Sequence, residues 1–246
     1  FELYRDQDVE RPVVDQDELT GLYTREALDF IEANQHEPFF LYLAHSMPHL
    51  PVSTSDEFKG KSEAGLYGDV VETLDWSMGQ VLGAIDNNGL EDHTMVVFTS
   101  DNGPWHNLPE RMLQRGVKDW HSGSVGPFRG AKATSYEGGH RVPFIARWPG
   151  KIPAGSISNE IVAHQDWLPT LLAAAGAENV DFPLKTACCG GAHTLSDSDT
   201  STKLVLNILK AAKMSGADVI ATECPTCHTG LEMHQIRAEE TLGEKV

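Results

Sequence analysis

The sequence predicts an α/β protein: a sheet flanked by helices, followed along the chain by a second, smaller α/β module. Three observations carry this. Short apolar runs of strand length alternate with longer segments whose apolar residues recur every three to four positions, as strands covered by amphipathic helices require. Two of the apolar runs lead into loops dense in His, Asp and Asn, and the carboxyl ends of strands are where open α/β sheets bind ligands. Composition also changes along the chain: the four cysteines are Cys188, Cys189, Cys224 and Cys227, whereas all five Trp residues precede residue 168.

Taken in order, Thr24 to Asn34 reads as a short helix with Ala27, Leu28 and Ile31 on one face. Pro38-Phe39-Phe40-Leu41-Tyr42-Leu43-Ala44 reads as a buried strand followed by a His/Pro loop. Leu66, Val70, Leu74, Met78, Val81, Leu82 and Ile85 mark a long helix that stops at Asn87-Asn88-Gly89. Thr94 to Thr99 is a second strand, closed by Ser100-Asp101-Asn102-Gly103. Residues 103–140, rich in Gly, Pro, Trp and His, are too irregular for one element. Val142 to Trp148 is a third strand, and Ile161 to Ala175 a helix begun around Pro169. This alternation predicts a parallel-type sheet. The tail repeats the pattern on a smaller scale. Thr200 to Met214 is a helix ended by Gly216, Ala217 to Thr222 a strand leading into Cys224, and Thr229 to Leu242 a charged helix. No Gly/Ser linker separates the two parts, and the seam falls within residues 172–186, giving domains of 1–176 and 177–246.

The 246 residues allow one large domain or two modest ones, and 40% hydrophobic residues can fill a core. The 36 acids against 19 bases, a net charge of −17, argue against a nucleic-acid partner, since Lys and Arg supply the attraction to phosphates. Residues 1–180 hold 27 acids and 13 bases, so most of the negative charge lies in the first part. No segment reaches the ~18 consecutive apolar residues of a membrane span. Phe1-Glu2-Leu3-Tyr4 has neither an initiator Met nor a signal-peptide pattern and reads as a chain entered part-way.

The chemistry-bearing loops are His45-Ser46-Met47-Pro48-His49-Leu50-Pro51 and Ser100-Asp101-Asn102-Gly103. Adjacent Asp and Asn oxygens suit a hard divalent cation, Ca²⁺ or Mg²⁺, although Asp-Asn-Gly is also an ordinary turn after a strand. Further residues narrow the choice. Residues 20–176 carry Pro38 to His49, Leu66-Tyr67-Gly68-Asp69-Val70 and Val97-Phe98-Thr99-Ser100-Asp101-Asn102-Gly103. Gly130-Ala131-Lys132-Ala133-Thr134-Ser135-Tyr136-Glu137-Gly138-Gly139-His140-Arg141-Val142-Pro143 follows, then Arg147-Trp148-Pro149-Gly150-Lys151-Ile152-Pro153-Ala154-Gly155. In that order these motifs resemble the sulfatase family, the arylsulfatase branch of the alkaline phosphatase-like superfamily.

The resemblance implies a sulfatase-type mixed sheet and hydrolysis of sulfate esters, on a small molecule or a sulfated sugar. It matches Asp101 and Asn102 to ligands of the divalent metal, usually Ca²⁺, Lys132 to the lysine on the sulfate group, and His49 to the histidine that protonates the leaving oxygen. A cation and a lysine neutralise the sulfuryl oxygens while an acid relieves the departing alkoxide. Ala133 and Ser135 stand where the family commonly has Gly and Thr. The family's nucleophile, a formylglycine made within a Cys/Ser-x-Pro/Ala-x-Arg motif, has no counterpart here, nor do its two N-terminal metal-ligand aspartates and first strand. The expectation is a chain that stabilises charge but does not by itself start the reaction. Loss of the first strands also predicts unpaired apolar edges and loose packing.

In the tail, Cys188-Cys189-Gly190 and Cys224-Pro225-Thr226-Cys227 place thiols two and two, as Fe–S clusters or Zn²⁺ require. The same residues read as a c-type haem attachment at Cys224-x-x-Cys227-His228, as a dithiol redox pair, or as unligated thiols. Residues 176–243 resemble the cysteine-rich CCG domain of heterodisulfide reductase and related Fe–S proteins, in which Cys-Cys-Gly precedes Cys-x-x-Cys by a similar interval. That resemblance implies a 4Fe–4S cluster on Cys188, Cys189, Cys224 and Cys227, and redox-subunit partners in the parent family. An upstream Cys and a second CCG copy are absent. Sulfatase parents are often periplasmic or secreted and CCG parents cytoplasmic, so location stays open. Two partial families without a linker suggest a spliced reading frame. The rival is a non-catalytic module that holds anionic esters at the Asp101/Asn102 corner.

Overall fold

The computed structural model describes residues 2–106, 108–113, 117–178, 180–190, 197–220, 222, 227, 230–232 and 235. They belong to two compact units, Phe1–Ile157 and Ser158–Val246.

Two packed helices form the body of the first unit. Helix α1 (Leu19–Asn34) begins earlier than the periodicity alone suggests. A 3-10 turn at Gln16–Glu18, capped by the Asp15 carboxylate accepting from the Asp17 N–H at 3.2 Å, feeds directly into it. Its buried residues are Leu19, Thr20, Thr24, Ala27 and Ile31. Helix α2 (Gly65–Asn87) agrees closely with expectation. Asp69, Thr73, Ser77, Val81 and Ile85, each four residues from the next, form its buried stripe, with Val70 and Leu74 beside it. The chain leaves α2 through Gly89, whose φ of +66° is the left-handed exit that glycine adopts without strain.

The segment from Pro38 to Ala44 corrects the expected buried strand. It is extended, and Phe39, Leu41 and Leu43 pack on Ala27 and Ile31 of α1 and on Val81 and Ile85 of α2. Phe40 and Tyr42 between them are 70% and 80% exposed. The period-two alternation of a strand is present, but among the described residues nothing hydrogen-bonds to this backbone, so no ladder forms. The apolar run records burial on one face only.

Four short strands are present among the described residues. β1 (Leu3–Arg5) and β2 (Asp8–Arg11) form an antiparallel hairpin turning at Asp6, a polar stretch without the apolar alternation that marks a strand. β3 (Val96–Thr99) and β4 (Phe144–Arg147) coincide with two predicted strands, but they pair antiparallel, Val96 opposite Arg147 and Phe98 opposite Ile145. The expected parallel arrangement is corrected here. A parallel pair needs a crossover helix packed on the sheet. Between β3 and β4 the described residues hold one 3-10 turn and the four-residue helix α3 (Glu137–His140), so the chain returns in the opposite sense.

The second unit contains α4 (Trp167–Ala174), preceded by a 3-10 turn at His164–Asp166, and α5 (Ser198–Met214). α4 is shorter than the expected Ile161–Ala175: residues 161–163 lie outside any helix, and the Ala163 N–H donates to the Asp166 carboxylate at 2.8 Å. α5 starts at Asp197, which accepts from the Thr200 N–H at 3.1 Å, and ends at Gly216, φ +80°. The expected strand Ala217–Thr222 is not one: residues 217–220 form no ladder, and Ala221 lies outside the described residues. Of the expected helix Thr229–Leu242, residues 230–232 and Gln235 are helical and the rest lies outside the described set. The core of this unit is Cys189, Val205, Ile208 and Leu209, with Phe182, Leu206, Ile220, Cys227 and Leu231 packed around it.

Candidate active site

The first unit brings two of the loops singled out from sequence into direct contact. The Ser100–Gly103 loop follows β3 and is tied at its root by the Thr99 hydroxyl donating to the Pro143 carbonyl at 3.1 Å. The Asn102 side-chain amide donates to the Gly103 carbonyl at 3.0 Å, and Asp101 before it is exposed. The Gly103 N–H then donates to the Gly139 carbonyl at 3.0 Å, and the Lys132 N–H to the Pro104 carbonyl at 2.9 Å. Two backbone bonds therefore clamp the Asp101–Asn102 corner against the loop that carries Lys132.

Glycine is what allows the backbones to approach so closely. A Cβ on Gly103 would lie 1.9 Å from the Gly138 carbonyl oxygen, and one on Gly138 would lie 2.3 Å from that of Gly130. The 128–141 loop is stiffened by Thr134, which donates to the Ala131 carbonyl at 2.7 Å while accepting from the Ala131 N–H at 3.2 Å. The guanidinium of Arg129 stacks 4.0 Å from the Tyr136 ring centre and that of Arg141 4.8 Å from Phe128. Ala133, next to Lys132, has φ +68°, the left-handed region that disfavours a Cβ. This explains why glycine suits the position. Ala133→Gly should raise unit-one stability by about 1 kcal/mol. A lowered denaturation midpoint in the variant would contradict this account.

His49 lies in a turn closed by its N–H donating to the Ser46 carbonyl at 3.1 Å. Its Nδ1 donates to the Leu50 carbonyl at 2.8 Å, because a carbonyl can only accept, so Nε2 is left to exchange a proton with a ligand. Among the described residues His49 makes no hydrogen bond to Lys132, Asp101 or Asn102. What relates them is packing. Met47, Leu50 and Val52 beside His49 share one apolar cluster with Val70 and Leu74 of α2 and with Val117, and Leu108, Met112 and Leu113 also pack on it. The strip that follows the Asp101–Asn102 corner and the turn bearing His49 thus rest on the same part of α2.

As cation ligands, Asp101 and Asn102 are hard oxygen donors of the right chemistry, but two do not fill the six to eight positions of Ca²⁺. No group of three or more His, Cys, Asp or Glu converges among the described residues. In the second unit Cys189 is buried and packs with Cys227, whereas Cys188 is exposed and accepts from the Gly190 N–H at 3.4 Å. Cys224 lies outside the described residues.

Two features of α2 escaped the sequence reading. Asp69, 2% exposed, accepts from three consecutive backbone N–H groups, Gly60 at 2.9 Å, Lys61 at 3.0 Å and Ser62 at 2.8 Å. Burial alone would raise its pKa, but the three donors more than offset that and hold the carboxyl below its ordinary value. Ser77 joins His45 to Thr24. The available signal was the spacing of Asp69, Thr73 and Ser77, polar residues at every fourth position on the apolar face of a helix.

Comparison with known proteins gives the family of the chain. The family model described as Sulfatase matches residues 2–177.

The chain belongs to the sulfatase family.

A second model, described as Cysteine-rich domain, matches residues 164–232. The chain is 39% identical to human steryl-sulfatase over 175 residues, covering 71% of this chain and 29% of that protein. It is 44% identical to N-acetylgalactosamine-6-sulfatase of Sus scrofa over 162 residues, 65% of this chain and 29% of that one. Among solved structures it resembles the PsFucS1 sulfatase from Pseudoalteromonas sp. at a TM-score of 0.60 and 30% identity, over 69% of this chain and 33% of that one. This sulfatase-family chain therefore spans under a third of the length of the curated relatives it matches. No described helix is long and apolar enough to cross a membrane.

Proposed function

We propose that the first unit carries the charge-stabilising part of a sulfate-ester hydrolase site, acting on the sulfate of a small molecule or sulfated sugar. The observation that supports this most is the clamp between the Asp101–Asn102 corner and the Lys132 loop. It holds the backbone of the Asp101–Asn102 corner against the loop that carries Lys132, which supports reading the two oxygen donors and the lysine as parts of one anion-holding site. Asp101 and Asn102 would hold a divalent cation, Ca²⁺ or Mg²⁺, which when bound supplies further positive charge opposite the sulfuryl oxygens. Lys132 then pairs with those oxygens, and preorganised charge of this kind lowers the barrier without reorganisation during reaction. His49, its Nδ1–H donated to Leu50, presents Nε2 to the site, and as the imidazolium it would give the Nε2 proton to the leaving oxygen and return to the neutral ring. None of these side chains attacks sulfur.

Titration calorimetry with Ca²⁺ tests the metal corner: heat is expected from the wild type and none from Asp101→Ala, and equal heats from both would reject the assignment. The pure chain is expected to leave a chromogenic aryl sulfate intact, so measurable turnover would overturn the separation of charge stabilisation from attack. The match of residues 164–232 to a cysteine-rich domain supports a second reading, Fe–S binding by Cys188, Cys189, Cys224 and Cys227. Anaerobic reconstitution and iron quantitation decide that; a colourless, iron-free product would exclude it.

A further inference from the structure

The hydroxyl chain behind the His49 segment determines the protonation of a histidine that has no assigned role. The Thr24 hydroxyl donates to the Thr20 carbonyl at 2.6 Å, since the carbonyl can only accept. Thr24 has one hydroxyl hydrogen, so at its 2.7 Å contact with Ser77 it accepts and Ser77 donates. The single Ser77 hydrogen is thereby committed, and at 3.0 Å Ser77 Oγ must accept from His45 Nε2–H. His45 therefore carries a proton on Nε2, and in its neutral form the lone pair is on Nδ1. That Nδ1 is buried and meets no hydrogen-bond partner among the described residues.

From this geometry we infer that His45 is a positioning residue for the His49 segment and that the segment is released by acid. The inference rests on the reading that His49 serves the sulfate site. The hydrogen bond to Ser77 is the one polar tie, among the described residues, between residues 38–51 and the α1–α2 pair. Met47 and Leu50 supply the apolar ties. Adding a proton to His45 puts N–H⁺ at Nδ1, where no acceptor waits. The groups facing the ring are Tyr23 of α1, ring centres 6.3 Å apart, and Ser77 of α2, and neither carries a charge to balance the new one. Burial accordingly holds the His45 pKa below its ordinary value. The segment hydrates the imidazolium only by leaving the helices, and His49 goes with it.

The sign follows from linkage. The open segment binds the proton and the packed one resists it, so packing is fully favoured above the open-state imidazole pKa and weakens as pH falls. Below about pH 6.5, opening should become about tenfold more favourable per pH unit until His45 titrates in place. The experiment is ¹⁵N-histidine NMR with amide exchange on the full chain, corrected for intrinsic exchange. The expected result is a pyridine-like Nδ1 and a pyrrole-like Nε2 at His45 above about pH 7, and a roughly tenfold loss of protection per pH unit below about pH 6.5 at the His49 amide, which donates to the Ser46 carbonyl. His45→Gln, which keeps a donor for Ser77 but does not titrate, should flatten that dependence. A pyrrole-like Nδ1, or an unchanged pH dependence in the variant, would overturn the proposal; if the variant does not fold, the wild-type nitrogen shifts still decide. These readouts require no sulfate chemistry, so they separate from the calorimetric test of the site itself.

Discussion

Replacing Asp69 with alanine should destabilise the first unit by about 3 kcal/mol, among the largest effects of any side-chain truncation in it. The carboxylate, on the first turns of α2, accepts from the backbone N–H groups of Gly60, Lys61 and Ser62. Alanine removes the acceptor of three hydrogen bonds from part-exposed donors, and each such bond contributes about 1 kcal/mol. The shift in melting temperature should be roughly 6–12 °C for a unit of this size. Asn retains one acceptor oxygen and should lose about half as much. The pH dependence has a definite sign. Because the folded carboxyl is held below its ordinary value, its stabilisation is present above about pH 4 and is lost as pH falls through the folded pKa. Thermal melts of wild type, Asp69→Asn and Asp69→Ala at neutral pH would check the order; a neutral alanine variant would show that the turn at residues 60–62 holds itself.

Gly103→Ala is the second large effect. Its Cβ would sit 1.9 Å from the Gly138 carbonyl oxygen, a rigid backbone atom, so the crossing must open. Opening it costs the Gly103–Gly139 and Lys132–Pro104 bonds together with overpacking strain, about 3 kcal/mol in all. Its consequence is local and specific: the Asp101–Asn102 corner separates from the Lys132 loop. Amide exchange should show loss of protection at Gly103 and Lys132 while the α1–α2 amides remain protected. Protection that persists at both positions would mean that the two loops are held by other contacts. The control is Gly79, a helical glycine where an added Cβ would meet nothing within 4 Å, and Gly79→Ala should not destabilise.

Much of the helical framework was legible in the chain. The apolar spacing of α2 and its stop at Gly89 appear in both, because a helix of that length is specified locally by periodicity and by a residue that tolerates positive φ. Sheet organisation was less legible. The run from Pro38 to Ala44 has strand composition, but a ladder needs a neighbour, and apolar composition does not say whether one or two faces are covered. β3 and β4 were placed correctly and paired in the wrong sense, since strand direction depends on the connection and not on the strands. The β1–β2 hairpin was missed because its alternation is polar.

The chain by itself determined the family, the candidate residues Asp101, Asn102, Lys132 and His49, and the concentration of cysteine chemistry after residue 187. These are matters of residue type and order, which side-chain chemistry makes readable one position at a time. Only the tertiary structure decided which of them meet. Gly103 and Gly139 bond across a long stretch of sequence, and with the Lys132–Pro104 bond they bring the Asp101–Asn102 corner to the lysine loop. The neighbours of His49 pack on α2 together with Leu108, Met112, Leu113 and Val117, residues far from them in the chain. The same is true of Asp69 and of the Thr24–Ser77–His45 chain, whose partners lie on separate elements. The reason is physical: a hydrogen bond between residues far apart in the chain has its loop-closure cost met by packing elsewhere in the fold, so neither partner carries a local mark of the other.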